Sequence, residues 1–170
     1  MHLTGHAQVP KIFKWLWNSS YHNKHKVIFW LLLKDRLNTR NFLRRKTMVL
    51  DSCECELCNS GVEETLEHLF LECPFASTCW NLITIHILSQ VTVLEAIDSF
   101  NEQLHSPISL DIIILLCWAI WTSRNGVIFQ NHPASISLAR STFKKEVTLI
   151  LHRVKPKHKE CLVEWINNFG

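Results

Sequence analysis

The sequence predicts a mainly α protein, a helical domain with an embedded zinc knuckle. Three observations carry that expectation. Several segments repeat their apolar residues at helical spacing, and none sustains the alternation of a half-buried strand. Four glycines and five prolines in 170 residues are too few for a turn-rich β-sandwich. Finally, "CECELCNSGVEETLEHLFLECP", residues 53–74, holds four of the seven cysteines and one histidine. Clustered cysteines of this kind favour a metal over disulfides in a reduced protein.

The elements follow in order. "NKHKVIFWLLL", residues 23–33, opens with cations and becomes continuously apolar, as a helix running into a core does. Thr39 is placed to cap a short helix whose Phe42 and Leu43 face inward and whose Arg40, Arg44 and Arg45 face water. Arg44-Arg45-Lys46 at its end also suits the helix dipole. Ser60-x-x-Glu63 fits a capping box and predicts a helix through Leu71 or Glu72, which Pro74 ends at Cys73. A second helix from about Phe75 carries Trp80, Ile83 and Ile87 on one stripe, and residues 91–104 read as a weaker amphipathic helix. The strongest pattern is "SPISLDIIILLCWAIWTSRNGVIF", where Ile114, Trp118, Trp121, Asn125 and Ile128 recur at helical spacing. Residues 135–152 and 157–168 give two more helices, separated by Pro156. At 47% hydrophobic residues, this length suits one domain or one with an appendage.

Charge is segregated. Residues 1–50 carry ten Lys/Arg against one acid, residues 51–111 eleven acids and no Lys or Arg, and residues 112–170 eight Lys/Arg against three acids. The blocks can pair with one another, or present a positive face to a polyanion. "MHLTGHAQVP" lacks the apolar stretch of a signal peptide, and the longest apolar run, ten residues from Ile112 to Trp121, is too short for a bilayer. The expectation is an intracellular protein with no membrane partner.

Zinc takes four ligands in a tetrahedron, and thiolates with imidazole are its usual structural set. Cys55, Cys58, His68 and Cys73 read C-x2-C-x9-H-x4-C. On an ideal helix, positions five apart point about 140° away from each other, so the chain must unwind after His68 for Cys73 to swing back. Cys53 can replace Cys55 with a looser spacing. A redox Cys-x-x-Cys needs a βαβ context that is absent. Cys79, Cys117 and Cys161 read as buried thiols. Four protein ligands leave no open position, so one structural Zn2+ is expected, with no small-molecule substrate. The acids flanking the knuckle, Glu54, Glu56, Glu63, Glu64, Glu67 and Glu72, place negative charge around the metal. Phosphate contact is therefore expected elsewhere, from Lys11, Lys14, Lys24, Lys26, Arg36, Arg40, Arg44, Arg45 and Lys46. Trp15, Trp17 or Tyr21 would supply stacking surface, while Trp30, Trp80, Trp118 and Trp121 read as core.

These residues resemble a known family. Trp15, Trp17, Lys24, Lys26, Trp30, Arg36, Leu37, Thr39, Arg40, Leu43 and Arg45 are followed by Cys55, Cys58, Glu64 and His68-Leu69-Phe70, then by Cys73-Pro74, Ala76 and Trp80. Together they resemble the zinc-binding domain that follows the reverse transcriptase in plant LINE-type retrotransposons, and the resemblance implies that domain over 11–82 and a helical connector over 83–170. "CWAIWTSRNGVIF", residues 117–129, is similar to the Trp-x-x-Trp-x-x-Arg-Asn helix between that domain and ribonuclease H in the same elements. The chain departs from the family in having Asn23-Lys24 where many members have Pro-Lys. Asp occurs only at 35, 51, 98 and 111, so neither the paired aspartates of a two-metal polymerase nor a ribonuclease H carboxylate cluster has a source. The resemblance implies a non-catalytic zinc module from a retroelement polyprotein that binds RNA or DNA beside reverse transcription. A zinc-stabilised scaffold for a protein partner and a remnant without selected activity are the alternatives.

Overall fold

The computed structural model describes residues 9–19 and 21–169. Among them, eight α-helices and one π-helical turn make up the regular structure: α1 (Val9–Asn18), α2 (Asn23–Leu33), α3 (Arg40–Arg45), the π turn (His68–Glu72), α4 (Pro74–Asn81), α5 (Val93–Leu104), α6 (Ser109–Gln130), α7 (Ile136–Ile150) and α8 (Pro156–Asn168). The one β interaction among the described residues is an isolated antiparallel bridge between Glu54 and Glu63. The mainly α class is as the sequence predicts.

The bundle is built around α6, whose apolar residues face neighbours on several sides. Ile112, Ile113, Ile114, Leu115, Leu116 and Ile120 are all essentially buried, each contributing about 1.5–3 kcal/mol by leaving water. Helices α2, α4, α5 and α7 pack against it. This helix is long and apolar enough to cross a membrane by length and composition, but here it is the core helix, mostly covered by its neighbours. One hydrophobic core runs from Leu16 to Phe169 across residue 82. Trp80 stitches the knuckle to the bundle: its indole N–H donates to the Phe70 carbonyl at 2.7 Å, and its ring lies 4.5 Å from that of Phe100.

Helix ends follow local chemistry. Thr39 accepts from the Phe42 N–H at 3.3 Å, as the sequence predicts. Thr92 and Glu95 cap α5 reciprocally, forming a capping box. Ser60–Glu63 does not form one. Ser60 lies in the knuckle loop against Cys58, Glu63 is taken by the bridge, and the helix begins at Leu66, with Thr65 accepting from the His68 N–H at 3.0 Å. The bridge wins because it satisfies backbone groups on both limbs of the loop: Cys55 N–H to Val62 O and Glu64 N–H to Cys53 O, both 2.8 Å. Helix α4 stops at Asn81, so Ile83 is buried from the following turn rather than from a continued helical stripe. Asn131 ends α6 in the left-handed region, a conformation Asn tolerates better than most residues.

Candidate metal centre

The knuckle assembles from a loop and a helix. Cys55 and Cys58 lie on a turn closed by the Asn59 N–H to the Cys55 carbonyl at 3.2 Å. Gly61, at φ +70°, turns the chain back toward the bridge. His68 begins the π turn and Cys73 follows its end, the Cys73 N–H donating to the His68 carbonyl at 2.7 Å. That i→i+5 bond is the π geometry itself. It supplies the unwinding that the five-residue spacing demands, since residues five apart come into register on the wider turn. Pro74 then starts α4 and holds Cys73 extended at φ −59°, ψ 128°.

The four ligand atoms lie within 4.8 Å of one another. Cys55 Sγ is 3.9 Å from Cys73 Sγ, and Cys58 Sγ is 3.4 Å from His68 Nε2. A tetrahedron with Zn–S of about 2.3 Å and Zn–N of about 2.0–2.1 Å requires separations of about 3.8 Å and 3.6 Å. The donor set therefore fits zinc in type, number and spacing. Cys53 is outside the cluster. Burial holds the His68 imidazole below its ordinary value, and the carboxylates of Glu72 and Glu64 partly oppose that. A neutral imidazole is the form that ligates. The hydrogen bond between Cys55 and Cys73 pushes the first thiol up and the second down, and a bound cation would favour the thiolate form of both.

The acids around the knuckle are met by the basic block before it. Arg40 reaches Glu56 at 2.8 Å and the Ser52 carbonyl at 2.7 Å, while Arg44 pairs with Glu63, which Asn41 also reaches at 2.8 Å. Glu64 is fully buried. It accepts from the Arg40 backbone N–H at 2.9 Å and from Arg124 of α6, whose Nη2 lies at 2.7 Å and Nε at 3.2 Å. Arg124 also donates to the Asn38 carbonyl at 3.3 Å, with its guanidinium 4.8 Å from the Trp121 ring. This buried pair spans sixty residues and joins α3, the knuckle and α6. Its two members sit in separate motifs, and no local periodicity pairs them.

The nine cations expected to meet phosphate fare differently. Lys24 bonds Glu146 at 2.6 Å and lies over Trp118. Lys26 is 8% exposed and donates to the Trp17 carbonyl at 3.3 Å, which places its ammonium away from solvent. Arg40 and Arg44 are engaged as above, and Arg45 pairs with Asp35 at 3.2 Å. Lys46 lies over Phe42. Lys14 and Arg36 are exposed without an ion pair among the described residues, and the Lys11 side chain lies outside the described residues. Tyr21, expected as stacking surface, is 5% exposed, because the α1–α2 connection packs it beside Trp15. Trp17 is half exposed. Cys79 and Cys117 are buried thiols pushed up by burial, Cys79 to about 12, whereas Cys161 is only partly buried.

Residues 1–80 match the family model described as zinc-binding in reverse transcriptase. Searches of curated proteins and of solved structures gave no match.

Proposed function

We propose that this chain, with a reverse-transcriptase type zinc-binding domain over residues 1–80, is a non-catalytic accessory module of a LINE-type retroelement of plants that holds RNA or DNA beside the polymerase. The observation that carries the reading is the closed Cys3His centre within the family match. Four protein donors fill a tetrahedral zinc and leave no position for water or substrate. The metal then fixes the fold, and function falls to the surface around it. Exposed cations without an acidic partner among the described residues support a polyanionic ligand. The scattering of the four aspartates along the sequence supports a non-catalytic role.

Titration of labelled single-stranded RNA against salt tests the reading. Log K should fall linearly with log salt, by about 0.7 for each phosphate neutralised. A flat response, or affinity no better than a control protein of equal charge, sinks it. A protein-binding scaffold is the second reading, favoured by the bare side chains of Val49 and Phe129, 99% and 74% exposed. A pull-down that survives nuclease would support it.

A further inference from the structure

The N-terminal basic block largely spends its charge inside the molecule, but a second basic segment does not. Between α7 and the first turns of α8, the chain reads His152, Arg153, Lys155, Lys157, His158 and Lys159. All are exposed except the half-buried His158, and no ion pair among the described residues engages any of them. This segment lies next to a groove of about 440 Å³ formed where α1, the α5–α6 turn and the α7–α8 turn meet. Lys14 and Trp15 reach it from α1, Lys155 from the α7–α8 turn, His158 from α8 and Asp111 from α6. The fold thus brings Lys14 of the first basic block together with Lys155 and His158 of the last.

We propose that this groove seats a nucleotide of a single-stranded nucleic acid, its base against Trp15 and its phosphates on Lys14, Lys155 and His158. The inference rests on the nucleic-acid reading above and shifts its surface from the cations of residues 11–46 to the α1–α8 groove, keeping Lys14. Four observations support it. The volume lies in the range of sites that enclose a small ligand, too small for a duplex to enter. Trp15 is half-buried and meets Tyr21 edge-on at 5.9 Å, while Ile150 and Val154 add apolar wall, the kind of platform on which any base can stack. The Tyr21 hydroxyl is buried without a hydrogen-bond partner among the described residues, and a polar ligand or its water can satisfy it. Burial raises the Asp111 carboxyl to about 7, so near neutrality it is not a full negative charge opposing phosphate, and it can donate to a base edge.

The test compares two double variants that remove equal charge, both checked for helicity and for one bound zinc. Lys14→Ala with Lys155→Ala should weaken binding of a mixed-sequence single-stranded RNA oligonucleotide and lower the salt slope by about 0.7 for each phosphate no longer neutralised. Arg36→Ala with Lys46→Ala should change both far less. Trp15→Ala should cost about tenfold at constant salt slope, and Trp15→Phe should restore most of it. A duplex of the same sequence should bind more weakly than the single strand. Equal losses in the two doubles, a larger loss in Arg36→Ala/Lys46→Ala, or no loss in Trp15→Ala would overturn the groove while leaving the nucleic-acid reading standing. Failure of the unaltered protein to bind with any salt dependence overturns both.

Discussion

Two buried carboxylates sit at two stations along α6, and their partners set them apart. Glu64 faces Arg124, a cation whose charge is fixed, and both of its oxygens receive aligned donors. Glu146 of α7 faces His25 of α2, with Nε2 3.0 Å from Oε2, and His25 in turn packs edge-on against Trp118 of α6. That approach is close but poorly aligned, and the His25 nitrogens and Glu146 Oε2 make no well-formed hydrogen bond. Burial is the largest influence on His25 and lowers it to about 4, against the opposing pull of Glu146. At neutral pH its imidazole is therefore uncharged, and Lys24 supplies the cation for Glu146 instead. The first station is a lock, an ion pair tied to the metal loop. The second depends on pH.

The largest effect should come from removing the metal that shapes the first station. Structural zinc binds with about 10–16 kcal/mol of apparent free energy in small peptides, comparable with the whole stability of a typical domain, about 5–15 kcal/mol. Chelation should release one equivalent of zinc per chain, open the loop around Glu64 and change the fluorescence of Trp80, which hydrogen-bonds the π turn. Cys73→Ser should do the same without chelator. Stoichiometric, tightly held zinc in that variant would overturn the ligand assignment.

Breaking the lock while the metal stays comes next. Arg124→Met leaves the Glu64 carboxylate buried opposite a hydrophobe, a defect that costs about 3–5 kcal/mol. Urea unfolding should show that loss. Glu64→Gln in the same chain should recover most of it, because the uncompensated charge is gone and the amide oxygen can still accept from the Arg40 N–H. A double variant as weak as the single would mean that shape, not charge, holds the station.

The second station predicts a smaller, pH-dependent effect. His25 is depressed from 6.5 to about 4 in the folded protein. The unfolded chain therefore binds a proton that the folded chain refuses, and stability falls as pH drops from about 6.5 to about 4. The loss reaches at most about 3 kcal/mol. Zinc ligands also titrate on the acid side, so the quantity to measure is the difference between the protein and His25→Gln. The variant should have the shallower acid slope, and parallel slopes would rule out His25 as the source.

What the sequence made legible at these stations divides by range. The zinc ligands, the Thr39 cap, the break at Pro74 and the course of α2 and α6 are local in origin, set by spacing, side-chain chemistry and period. The π turn was legible as a requirement, since His68 and Cys73 cannot meet on an α-helix, though its form was not. Ser60–Glu63 misled because a capping box and a bridged loop use the same polar residues, and only the partner limb at Cys53–Cys55 decides between them. Glu64–Arg124 and His25–Glu146 were illegible, being products of how α2, α6 and α7 dock. The fate of Lys26 follows for the same reason: its charge is plain in the sequence, but the Trp17 carbonyl that receives it is set by the packing of α1 on α2.

The smallest expected effect sharpens the first station from the inside. Cys53 is the one cysteine of the knuckle segment outside the metal cluster. Its contribution comes through the backbone, where its carbonyl accepts the Glu64 N–H at 2.8 Å and so helps set the lock carboxylate in place. Its half-buried thiol has no assigned role. Cys53→Ser keeps the backbone hydrogen bond and nearly the same volume, so the change in stability should stay within about 0.5 kcal/mol, with one zinc retained per chain. Metal analysis and urea unfolding read the two quantities separately. Loss of zinc would make Cys53 a ligand and return the looser Cys53–Cys58 spacing to consideration. Retained zinc with a large loss of stability would instead place the thiol in the packing beneath Glu64, making the lock depend on a side chain as well as on the backbone that carries it.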